Sequence, residues 1–112
     1  MSISERVVMH FVILGEHSPE VCPTSNATTK NLLLELAPQI PGIAEKNGVN
    51  IVAGPFVNRE HTTVLVLESD RAEDVDTFIL EARLHQWNRV RVIPSHTMEE
   101  SMKDLAEGTS LF

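Results

Sequence analysis

The chain has 112 residues, with 9 basic against 16 acidic side chains, a formal net charge of −7, an apolar fraction of 42% and one cysteine. These figures fit one domain over residues 1–112 with a packed core of modest size. They exclude an internal disulfide. They also argue against a nucleic-acid partner, which needs a basic footprint, and against an anionic membrane surface.

Ser2 to Arg6 is polar and carries both charges. The apolar run behind it has no small-residue cleavage pattern, so a cytoplasmic protein is expected. That run, Val7 to Leu14, is β-branched and aromatic-rich, ends at Gly15 and is interrupted only by His10. Its length suits a strand, and its lack of alternation predicts cover on both faces. The loop Glu16 to Pro23 follows, and Thr24, Ser25 and Asn26 can all cap a helix. Leu32, Leu33, Leu36 and Ile40 form a helical stripe to about Ala37. Pro38 and Pro41 make the helix irregular, with a short second piece over Ile43 to Asn47 and Gly48 as its C-cap.

Val49 to Val57 reads as a second strand, in which Gly54-Pro55 marks an edge or a bulge. Asn58 to Glu60 is a hairpin loop, and His61 to Glu68 is a third strand. Asp70 and Glu73 have capping-box spacing. Behind them Val75, Phe78, Ile79 and Ala82 define an amphipathic helix to about Leu84. His85 to Asn88 connects to a fourth strand, Arg89 to Pro94, with one wet face. Thr97 and Glu100 form a second capping box for a short terminal helix whose apolar side holds Met102, Leu105 and Ala106.

The order strand, helix, strand, strand, helix, strand is that of the ferredoxin-like βαββαβ fold, an α+β arrangement. It has two helices on one face of a four-stranded antiparallel sheet, and the first and third strands are central. Two helices leave the other face of the apolar central strands in need of a partner, so a homodimer through the sheet face is expected, with the terminal helix extending the contact. The chain resembles the dimeric α+β-barrel superfamily. The resemblance rests on element order, on Gly48-Val49-Asn50-Ile51-Val52-Ala53-Gly54-Pro55, and on Val92-Ile93-Pro94 followed by the Thr97-Met98-Glu99-Glu100 helix start. It implies a fold and a dimer. It implies no particular reaction, because the superfamily contains monooxygenases, isomerases, haem enzymes and metal binders.

This topology gathers the loop after the first strand, the hairpin and the connection after the second long helix at one end of the sheet. That end collects His17, Cys22, His61 and His85, with Glu16, Glu20, Glu60 and Trp87. Imidazole and thiolate suit a transition metal such as Zn, Cu or Ni, and not Mg or Ca. His17, Cys22, His61 and His85 are therefore the candidate ligands, although no CxxC or HxxxH motif is present. Cys22 before a helix start, with His17 near, should also have a depressed pKa. Two further readings belong to other classes. One is a cofactor-independent enzyme acting on a small apolar or carbonyl substrate in a pocket of Met9, Phe11, Phe56, Phe78 and Trp87, with His10 or His61 as base. The other is a non-catalytic interaction or stress domain.

Overall fold

The computed structural model of the protein describes residues 8–108; Val7 and the polar lead Ser2 to Arg6 lie outside them. The first apolar run becomes β1 (Met9–Glu16), paired antiparallel to β3 (Thr62–Ser69) on one side and to β4 (Arg89–Ser95) on the other. With β2 (Asn50–Val57) outside β3, the result is a four-stranded antiparallel sheet in the order β2-β3-β1-β4. The two continuously apolar strands are the two central ones.

Packing separates their faces. Phe11 and Ile13 of β1 and Leu65 and Leu67 of β3 are buried at 2% exposure or less. They meet Ile40 and Ala44 of α2 (Ile40–Lys46) and Val75, Phe78 and Ile79 of α3 (Ala72–Glu81) in one hydrophobic core. Truncating Phe78 to Ala would remove about 3–5 kcal/mol of such packing.

The helix ends follow local chemistry. Asn26 caps α1 (Ala27–Leu36), its Oδ1 accepting from the Thr29 N–H at 3.0 Å. A 3-10 turn over Ala37–Gln39 joins α1 to α2, which begins at Ile40, three residues earlier than expected. Pro38 and Pro41 both fall in first turns, where a missing N–H costs little. The Asp70–Glu73 capping box does not form. Arg71 is the N-cap of α3 without a side-chain bond, and Glu73 and Asp74 in the first turn complement the helix dipole instead. α3 stops at Glu81 because Arg83 turns left-handed (φ 58°), and a 3-10 turn, Leu84–Gln86, leads to β4. The Thr97–Glu100 capping box is complete at the start of α4 (Met98–Ala106). The apolar side chains Met98, Met102 and Leu105 of α4 stand exposed.

β2 is an edge strand with register shifts between Ile51 and Ala53 and between Ala53 and Phe56. Gly54 is required there: its φ is +87°, and a Cβ would meet the Val64 carbonyl oxygen at 2.6 Å.

On the face away from the core, the register sets side chains in rows. Phe56, Val64, Leu14 and Arg91 form one row, and Ala53, Val66, Val12 and Ile93 form the next. A polar row, Asn50, Glu68, His10 and Ser95, borders them on one side; Thr62, Glu16 and Arg89 border them on the other. Glu68 accepts from Asn50 Nδ2 at 2.8 Å and lies 3.3 Å from His10 Nε2, while Glu100 of α4 reaches within 3.7 Å of His10 Nδ1. Among the described residues, no helix is long and apolar enough to cross a membrane.

Candidate metal centre

The end of the sheet where β1 finishes holds the chemistry. The His17 N–H donates to the His61 carbonyl at 3.1 Å, which ties the exit of β1 to the entry of β3. His61 adopts a left-handed φ of 59°, an uncommon conformation for a residue with a Cβ and a recurrent feature of functional sites. Asn58 holds it in place: the His61 N–H donates to the Asn58 carbonyl at 3.3 Å, and Asn58 Oδ1 accepts from the Glu60 N–H at 2.9 Å.

Cys22 lies in a loop closed on itself before α1. The Ser25 and Asn26 N–H groups both donate to the Cys22 carbonyl at 2.9 Å. Asn26 Nδ2 donates to the Glu20 carbonyl at 3.0 Å, and Ser25 Oγ donates to that of Pro19. The loop therefore presents the thiol from a fixed backbone, and Cys22 is buried at 7% exposure.

His17, Cys22 and His61 each bring a ligand atom within 4.8 Å of the others. A tetrahedral ion with bonds of about 2.0–2.3 Å holds its donors roughly 3.4–3.7 Å apart, so the three converge with about 1 Å of side-chain adjustment. The His17 imidazole is oriented for this. Asn88 Nδ2 donates to the Leu84 carbonyl at 3.2 Å, so its Oδ1 is the atom that meets His17 Nδ1 at 2.9 Å. That Oδ1 can only accept, so the proton sits on Nδ1 and the lone pair on Nε2. An outer partner of this kind is what a ligating histidine ordinarily carries. Trp87 packs on the same ring, with centroids 5.0 Å apart, and the His61 ring meets it edge-on at 5.5 Å. His61 Nδ1 is buried and makes no hydrogen bond, an unmet demand of the kind an ion satisfies.

The Cys22 thiol has its pKa lowered, first by the Thr24 hydroxyl, 3.1 Å from Sγ, then by the Thr24 backbone N–H, with a smaller contribution from His61. Of the two neighbouring imidazoles only His61 is among these causes, and α1 begins farther along the chain, at Ala27.

Among the described residues, His85 stands exposed on the 3-10 turn, outside the group of three. Glu16, Glu20 and Glu60 are exposed. His10 lies at the other end of β1, beside Glu68. The aromatic pocket does not form as expected. Phe11 and Phe78 are core, and Phe56 is 57% exposed on the open sheet face. Of that set only Trp87 borders the cavity beside the site, about 250 Å³ and partly open to solvent between the sheet end and the α1–α2 helices, which also touches His17 and Cys22. A more open groove of about 440 Å³ runs over Pro41, Ala44, Gly48 and Ile51, away from the three ligands.

Asn88, Thr24 and Gly15 complete the site; the sequence marked Gly15 as the end of a strand and Thr24 as a possible helix cap, and gave Asn88 no role beyond its connection. A Cβ on Gly15 would lie 2.9 Å from Asn88 Cγ, so the glycine makes room for the side chain that orients His17. Its position two residues before His17 was the one available hint.

No protein-family model, curated protein or solved structure matches the chain. Function is therefore argued from the site alone.

Proposed function

We propose that this is a small transition-metal-binding protein whose centre is His17, Cys22 and His61. The observation that carries the reading is the convergence of these side chains, with His17 held in the ligating tautomer by Asn88. A depressed thiol pKa lowers the proton cost of forming the thiolate ligand. Two imidazoles and a thiolate select Zn, Cu or Ni, and three protein ligands leave a tetrahedral ion one open position.

Strand order and element order support a ferredoxin-like fold, and the open sheet face supports a homodimer of the α+β-barrel type. Two rows that are apolar apart from Arg91 at one end lie between polar rows, a pattern of apolar centre and polar rim.

The test is a titration of metal-free protein, purified without a metal-affinity tag, with Co²⁺ as a spectroscopic probe. The expected result is one ion per chain with a thiolate-to-cobalt charge-transfer band. The band should vanish in Cys22→Ser, and affinity should fall in His17→Ala and His61→Ala. Asn88→Ala should weaken binding about 10–100-fold, as loss of an outer-shell partner does. His85→Ala should leave it unchanged. Absence of the band, or equal binding by all variants, overturns the reading.

A further inference from the structure

The cavity beside the metal centre has three properties that together describe an occupant. Its volume is about 250 Å³, where a dry apolar cavity of about 150 Å³ already admits benzene. Its walls include Leu33, Ile40, Pro55, Val57, Leu84 and Trp87, His17, Cys22, Thr24 and Asn58 also line it, and no Asp, Glu, Lys or Arg does. A charged ligand would leave water there without a counter-charge from the protein walls, which is strongly unfavourable.

The third property is Thr63. It lines the cavity from β3 and is 4% exposed, and its hydroxyl is fully buried without a hydrogen-bond partner. A buried, unpaired hydroxyl is expensive. Its neighbours on this face of β3, Leu65 and Leu67, are wholly apolar and buried, so a valine of the same shape would fill the position without that penalty. Rotation about χ1 carries the hydroxyl to another staggered position, which lets it serve a ligand in the cavity.

We infer that this cavity binds a small uncharged molecule with an apolar body and a single oxygen function, alcohol or carbonyl, which hydrogen-bonds to Thr63. The size corresponds to about seven to twelve non-hydrogen atoms, by comparison with benzene in the smaller cavity. One part rests on the metal reading: an ion on His17, Cys22 and His61 has an open position that the same oxygen function can fill. The cavity and Thr63 require no ion.

The test uses cyclohexanol and cyclohexanone as probes and hexanoate as the charged counterpart, read by amide and indole chemical shifts of metal-free and Zn²⁺-treated protein. Trp87, the only tryptophan, supplies a unique indole signal at the cavity wall. Expected are saturable shifts at Thr63, Leu33 and Trp87 with both neutral probes, and little response to hexanoate in metal-free protein. Thr63→Val, which keeps shape and fold, should weaken binding about tenfold, a typical value for one hydrogen bond. Leu33→Trp, which fills the cavity, should abolish it. No saturable shift, equal affinity in Thr63→Val and Leu33→Trp, or tighter binding of hexanoate by metal-free protein overturns the inference. Probe binding in protein that takes up no Zn²⁺ upholds the cavity and sinks the metal reading. Zn²⁺ uptake without probe binding does the reverse.

Discussion

The Cys22 thiol is poised by its nearest hydroxyl and backbone N–H, both from Thr24, more than by any imidazole. Hydrogen bonds donated to sulfur favour the ionised form, so the folded thiol releases its proton at a lower pH than the unfolded chain. The ionised thiol contributes stability fully above the unfolded pKa, and that contribution is lost as pH falls through the folded pKa. An ultraviolet thiolate titration of metal-free protein should show a midpoint below that of free cysteine, and Thr24→Val should move it upward. An unshifted midpoint, or one indifferent to Thr24→Val, would contradict this account of the site.

At the scale of elements, the site depends on β1 ending beside the connection that leaves α3. Gly15 lets the Asn88 side chain lie against the strand, and Asn88 in turn is anchored to the Leu84 carbonyl through both its backbone N–H, at 3.1 Å, and its side-chain amide. Gly15→Ala forces one of the two to move, and overpacking of this kind costs about 1–3 kcal/mol. Denaturant unfolding should show that loss, and metal affinity should fall with it. In the Asn88→Ala background the same substitution should cost less, because Cγ and Oδ1 are gone and only the alanine Cβ, 3.1 Å from the added methyl, remains close. Additive losses in the double variant would show that Gly15 and Asn88 act independently.

For the whole molecule, the open sheet face is the feature on which the proposed homodimer rests. One apolar row runs across all four strands, from Ala53 through Val66 and Val12 to Ile93, and the other across three, from Phe56 through Val64 to Leu14, with Arg91 at its β4 end. Sedimentation at micromolar concentration should give twice the chain mass of 12.5 kDa. Val66→Glu, at the centre of the face, should return the protein to the mass of one chain without unfolding it. A wild type that sediments as one chain rules the sheet-face dimer out. The proposed metal site and the cavity lie at the sheet end, so both tests are independent of this one.

Periodicity and capping chemistry are local, and they were legible. The apolar runs of β1 and β3 marked the two central strands, the Val75–Phe78–Ile79–Ala82 spacing marked α3, and Thr97 with Glu100 marked the start of α4. The Asp70–Glu73 spacing failed because backbone geometry after β3 made Arg71 the cap. The candidate ligands were chosen by residue type and loop position, which brought in His17, Cys22 and His61 together with His85. Only tertiary structure separated the first three from the fourth. Ligation depends on distances of a few ångströms between loops far apart in the chain, and those distances are set by strand register and by a left-handed His61. The roles of Asn88, Gly15 and Thr63 were invisible for the same reason. Each is defined by what another element places against it: an imidazole, a side-chain amide, and an apolar cavity beside an unpaired hydroxyl.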